Sequence, residues 1–160
     1  MKGYIKNLNG LNIKYIIVNS AVIAISSAGE LLFGNANLNY KMNMYISFVM
    51  MLAIIFFIFR GRRQYQKHIT NIKQLSFGQK LNAYQAACKK RVESFTAVSL
   101  VACLGLIISG NWLYLAFSAF SLVLIILSWS NATKIKFELG LTEQEYKSLE
   151  QKTINPIYKK

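Results

Sequence analysis

The stretch NMYISFVMMLAIIFFIFRGRR, residues 43–63, runs seventeen positions without a charge and then places three arginines in four. At 1.5 Å rise per residue, ~20 apolar residues cross a ~30 Å hydrocarbon core, so this run spans or nearly spans a bilayer. Three more runs of the same kind occupy residues 15–33, 93–110 and 112–130. Buried helices of a soluble bundle are the rival reading, but four runs with almost uncharged interiors leave no amphipathic outer face for water. The expected fold is therefore all-α: one polytopic domain of four transmembrane helices covering residues 1–160.

Composition agrees. Of 160 residues, 54% are apolar, yet the chain carries a formal charge of +13, and its lysines and arginines cluster between the apolar runs. Lys2, Lys6 and Lys14 precede the first run. Only Lys41 lies between the first and second, and no basic residue separates the third from the fourth. Nine fall between the second and third, and six follow the fourth. Basic loops stay inside, so both termini and the middle loop are expected in the cytoplasm of a bacterial inner membrane. Trp112 and Trp129 bracket the last run, roughly 25 Å apart on a helix, one for each interface. A cleavable leader is the alternative for the first run, with Ser26-Ser27-Ala28 as its small-residue site. The long basic segment before it favours a retained helix.

The outer connections are short: residues 34–42, and a tight turn at Gly110-Asn111. The middle loop is patterned. Tyr65, Ile69, Ile72 and Leu75, then Leu81, Tyr84, Cys88 and Val92, recur at helical spacing on either side of Ser76-Phe77-Gly78. Residues 61–92 are expected to continue helices two and three into the cytoplasm as a hairpin turning at Gly78, each arm about 20 Å long. The alternative lays those arms along the membrane surface. In the tail, 131–160, Thr142 and Glu145 form a capping box that predicts a short amphipathic helix from Glu143 to about Gln151, with Leu149 among its anchors. No recognition helix follows it, so nucleic acid is not an expected partner.

Several chemistries are excluded by what is missing. The chain has no Asp, one His and two Cys. Asp-rich magnesium sites, bis-histidine haem and histidine-based zinc need more ligands than that. Cys88 and Cys103 fall on different levels and form no CxxC pair. No phosphate-binding glycine loop appears. The expectation is a protein that is not an enzyme and uses no cofactor or metal.

Apart from Glu93, which opens the third run, Glu30 is the one acid within a run, ~6 Å below its outer end, where a charge costs less than at the midplane. Asn19, Ser26 and Glu30 share a helix face, with Ser20, Ala24 and Ala28 as a neighbouring small-residue stripe of the kind that lets helices approach closely. Run one is accordingly expected to face protein, and the Met- and Phe-rich run two to face lipid. Tyr114, Ser109 and Tyr45 are the candidate hydrogen-bond partners of Glu30. The pair of readings for this face is a structural latch or a proton or cation site. Arg60, Arg62, Arg63, Lys67, Lys89, Lys90 and Arg91 are the candidate contacts to anionic inner-leaflet lipid or an acidic partner.

The segment with Lys80-Leu81, Tyr84, Arg91 and Glu93, followed by Leu139 to Glu145, resembles a pattern in small four-span bacterial membrane proteins. That resemblance covers at most the C-terminal half and implies the four-span fold without an activity or a site. The function expected is therefore contact-based: an accessory or scaffold subunit of a membrane complex, or a homo-oligomer. A small oligomeric transporter or pore using Glu30 is the second possibility, and an immunity protein against a membrane-active toxin the third.

Overall fold

The computed structural model describes residues 2–33 and 40–151, with side chains within 3–32 and 44–147. Residues 34–39 of the expected outer connection and the side chain of the expected anchor Leu149 lie outside what is described. Six helices follow one another: α1 (Lys2–Phe33), α2 (Tyr40–Ile72), α3 (Phe77–Ser109), α4 (Leu113–Leu127), α5 (Ala132–Leu139) and α6 (Glu143–Gln151). No strand occurs among the described residues. The first three have 32, 33 and 33 residues, hence about 50 Å each, well beyond a ~30 Å apolar layer. Three helices are long and apolar enough to cross a membrane, or four if α4 and α5 form one bent span.

α3 is the hub. It packs against α1, α2 and α4, and α1 also touches α4. Half of the most apolar window of α3 is buried, against 11% for those of α1 and α2. Polarity is turned inside out around it. α1 buries Leu8, Asn12, Asn19 and Ser26 while exposing Ile17, Val18, Ile25 and Leu31. α4 buries Tyr114, Ser118, Ser121 and Ile125 while exposing Leu113, Phe120, Ile126 and Leu127. A helix in water turns its apolar stripe inward, so these two suit an apolar surrounding.

Three buried hydroxyls bond backbone carbonyls three or four residues back in the chain. Ser26 and Ser128 donate to the carbonyls four residues back, Val22 and Leu124, both at 2.7 Å. Ser121 donates to Ser118 O at 2.7 Å. These side chains return to their own backbone, whereas Ser99 Oγ and Asn19 Oδ1 are buried without a hydrogen-bond partner. Asn19 reaches across to α3: its amide nitrogen donates to Tyr15 O at 2.7 Å and to Thr96 Oγ1 of α3 at 3.0 Å. Ser118 Oγ of α4 likewise pairs with Cys103 Sγ of α3 at 3.5 Å.

Two glycines set how closely α3 meets its neighbours. A Cβ on Gly61 of α2 would fall 2.7 Å from Ser94 Cβ, and one on Gly105 would fall 2.7 Å from the Tyr114 ring. The turn from α3 to α4 is made by Gly110 at φ 63°, whose N–H bonds Leu106 O, followed by Asn111, whose Oδ1 accepts the Leu113 N–H at 3.0 Å.

The structure departs from the sequence expectations at three places. Run one does not face protein as a whole; only its Asn12–Asn19–Ser26 seam does, and Ser20, Ala24 and Ala28 are exposed. α2 and α3 are joined by residues 73–76 rather than at Gly78, because extended Ser76 precedes α3 and its carbonyl accepts the Lys80 N–H at 2.8 Å. The last run does not stay helical to 130: α4 stops at Leu127 and α5 departs at 83°. Cations explain that stop. Arg91 donates to Ser128 O at 3.1 Å, and Lys134 to Leu127 O and Trp129 O at 3.3 and 3.4 Å. The carbonyls that a continuing helix would have paired are thereby satisfied.

α5 then closes a second core at the basic end of the molecule, where Leu8, Tyr65, Ile72, Tyr84, Ile135 and Leu139 pack together. α6 begins at the expected capping box: Thr142 N–H donates to Glu145 Oε2 at 2.9 Å, and Glu145 N–H to Thr142 Oγ1 at 3.3 Å.

Because Ser94 Cβ is fixed to the α3 backbone and cannot swing aside, Gly61→Val should cost about 1–3 kcal/mol by overpacking. Gly29 has open space around it, so Gly29→Ala should stay within about 0.5 kcal/mol. Thermal unfolding of both variants in one detergent checks the contrast.

Candidate functional site

Polar side chains from four helices converge where the apolar layer ends at the basic side. Glu138 of α5 is the centre. Its Oε2 accepts hydrogen bonds from Tyr65 of α2 at 2.7 Å and from Tyr84 of α3 at 2.5 Å. Tyr84 is fully buried and Tyr65 nearly so. Arg91 stacks its guanidinium on the Tyr65 ring, 4.1 Å from the centroid. Two bonds between Asn9 and Ser130, each 3.2 Å, tie α1 to the segment between α4 and α5. Helical spacing brings this about: Tyr84 and Cys88, four apart, share the face of α3 that receives α5, while Ile135 and Leu139, also four apart, anchor α5 so that Glu138 points at the tyrosines.

Burial governs the ionisation of the cluster. It pushes the phenols of Tyr65 and Tyr84 well above the ordinary tyrosine range, with nearby Cys88 as the next cause. The Cys88 thiol is pushed up by burial as well, against the pull of Arg91. Lys134 is lowered, first by burial and then by Arg91. All three phenol and thiol groups are therefore held protonated, so the cluster has hydrogen-bond donors and no thiolate nucleophile near neutral pH.

Beside it lies a cleft of about 940 Å³ on the surface of α3 between α2 and α4. Ile58, Phe95, Phe120, Leu124 and Leu127 line its apolar part, and Arg62, Tyr65, Gln66, Arg91 and Glu138 its polar end.

The seven cations grouped by sequence separate into two kinds. Arg60, Arg62, Arg63, Lys67, Lys89 and Lys90 are exposed. Among these, Arg60 sits 5.8 Å from the centre of the Phe56 ring and Lys89 pairs with Glu93 at 3.8 Å. Arg91 is the exception, half-buried and engaged with Ser128 and Tyr65. Its Nε is buried without a hydrogen-bond partner.

At the opposite end, Glu30 lies half-buried beside the α3–α4 turn, its Oε1 3.0 Å from where a Cβ of Gly110 would stand. Its three proposed partners are directed elsewhere or outward. Tyr114 donates to Ser47 O of α2 at 3.1 Å, Ser109 donates to Gly105 O at 2.6 Å, and Tyr45 is two-thirds exposed. Asn19 and Ser26 do lie on the same buried face of α1 as expected. Each is bonded as described above, Asn19 to Thr96 and Ser26 to its own helix.

Glu138 escaped the sequence reading. Its one available signal was the i, i+4 pair Ile135 and Leu139 flanking it, hidden in a tail that reads as charged and irregular. Comparison of the chain with protein-family models, with curated proteins and with solved structures gave no match.

Removing one donor to Glu138, as in Tyr84→Phe, should destabilise the protein by about 1–3 kcal/mol. The pH dependence has a definite sign. Because the folded pKa lies above the ordinary value of 10, the contribution of Tyr65 and Tyr84 is complete below pH 10 and declines as pH rises beyond it. An ultraviolet titration should show these phenols ionising only together with unfolding. Ionisation near pH 10 in the native fold would contradict the arrangement.

Proposed function

We propose that the chain is a four-span protein of a bacterial inner membrane, with both termini and the α2–α3 hairpin in the cytoplasm, acting without catalysis through contacts with other helices. The observation that carries this reading is the inverted polarity of α1 and α4, which bury amides and hydroxyls and expose isoleucine, leucine and phenylalanine. A bilayer is the surrounding that makes such surfaces stable. The distribution of Lys and Arg supplies the orientation.

Self-association is the favoured contact. Ser20, Ala24 and Ala28 form a stripe at four-residue spacing on the outward surface of α1, exposed with no helix over them among the described residues. Between helices in lipid, where apolar burial gives no advantage, small residues promote association by letting backbones approach. A transport path through Glu30 is less well supported. That carboxylate sits at one end of the bundle beside Gly110, and the seam below it consists of Ser26 and Asn19, neither of which titrates.

Ala24→Leu combined with Ala28→Leu should weaken self-association in lipid about tenfold, of the order of ~1–2 kcal/mol, while leaving thermal stability in detergent unchanged. Single-molecule photobleaching in liposomes reads the oligomer; an unchanged distribution would remove this contact. For orientation, Lys67→Cys should react with an impermeant maleimide only after the cells are opened, native Cys88 and Cys103 being buried and silent. Glu30→Gln should alter neither result, and proton or cation flux in proteoliposomes that required Glu30 would overturn the contact reading.

A further inference from the structure

The cleft between α2 and α4 differs from the rest of the outward surface in joining an apolar trough to unpaired positive charge. Its floor is Phe95 and its wall Phe120, Leu124 and Leu127; Phe120 and Leu127 are 49% and 68% exposed, so the trough opens sideways on the apolar surface of the molecule. At the basic end stand Arg62 and Arg91. Among the described residues neither makes an ion pair with a carboxylate: Glu138, the acid lining the cleft, has its Oε2 taken by two tyrosines. Arg62 is exposed, and Arg91 has an Nε without a hydrogen-bond partner and is held over the Tyr65 ring. Two cations against one acid leave the polar end positive. Its volume of about 940 Å³ lies within the ~300–1,000 Å³ usual for small-molecule sites.

We propose that this cleft is a binding site for one anionic phospholipid, its phosphate between Arg62 and Arg91 and the upper part of an acyl chain along Phe95, Phe120 and Leu124. Charge complementarity chooses this occupant over a zwitterionic lipid, and lateral openness chooses it over a soluble phosphate ester. A planar guanidinium donates two parallel bonds to phosphate oxygens. The apolar trough meets that phosphate at the level where a bilayer places its headgroups, which is also where α4 ends and the cationic segment begins. The inference rests on the membrane reading above but not on self-association.

The test uses full-length protein with Trp112 and Trp129 changed to Phe and Phe120→Trp as the reporter. It is reconstituted in phosphatidylcholine vesicles containing a small, equal fraction of chain-brominated phosphatidylglycerol or chain-brominated phosphatidylcholine. Phosphatidylglycerol should quench the reporter with an apparent affinity about fivefold or more above phosphatidylcholine, as expected for a cation near an anionic headgroup. The preference should vanish in Arg62→Gln with Arg91→Gln. Arg62→Gln alone, at an exposed position, should lower it and so covers the case in which the double variant fails to fold. Arg63→Gln with Lys67→Gln, on the adjacent surface, should leave it intact. Equal quenching by the two lipids overturns the proposal, as does a preference that falls equally with the adjacent pair, which reports a diffuse surface field. Displacement by soluble glycerol phosphate would also overturn it, since the site would then take phosphate without a chain. Protein that floats with the vesicles yet shows no preference leaves the membrane reading standing; protein that does not float defeats both.

Discussion

The structure depends on α3 being surrounded by α1 and α4, which turn mainly small and polar sides toward it, and by α2, which seats Ile54 among Val98, Ala102 and Leu106. Apolar burial contributes in two small clusters, Ile54 with Val98 and Leu106, and Ile125 with Val92 and Phe95. Beside those clusters, α1 and α4 are held against α3 by the Tyr114 ring seated on Gly105, by the buried small residues Ser118 and Ser121, and by one amide bridging from Asn19 to Thr96. These are the forces that remain when the outside of a protein is already apolar, since moving a leucine from lipid to a protein core changes its surroundings little. In water the same surface, with Ile17, Phe48, Phe59 and Leu127 outward, would drive aggregation. The solvent is therefore part of the fold.

At the basic end of the molecule the packing is of another kind. The core formed by Leu8, Tyr65, Ile72, Tyr84, Ile135 and Leu139 is an ordinary one, apolar inside with Arg62, Lys67 and Lys73 outside. Arg91 and Lys134 mark the junction. They satisfy the last carbonyls of α4 and so let the chain bend by 83° into α5, which carries Glu138 to the tyrosines. The second core thus depends on the cations at the end of α4, and the cleft lined by Arg62 and Arg91 lies beside them.

Much of the architecture was legible because apolar length and helical period are local properties. The long uncharged runs, the tight Gly110-Asn111 turn and the Thr142–Glu145 capping box each follow from residues within a few positions of one another. The periodic Tyr65, Ile72, Tyr84 and Cys88 were recognised as a helical face, and they form the second core. Less legible were features set by a distant partner. Glu138 looked like one more charge in a charged tail, since its partners lie 54 and 73 residues away. Arg91 read as one of seven equivalent cations, although the ring of Tyr65 and the carbonyl of Ser128 draw it inward. The Ser20–Ala24–Ala28 stripe was assigned to an internal interface; the adjacent Asn19–Ser26 face took that place, one step around the helix.

By itself the amino-acid order determined the helical class, the number and limits of the apolar runs and the side on which positive charge collects, because each depends on composition within some twenty residues. Only the tertiary structure decided which face of α1 is covered, where α4 stops, which arginine turns inward and what stands around Glu138. Those outcomes depend on which surfaces meet across the bundle, and a one-dimensional pattern holds the period of a face but not the identity of its neighbour.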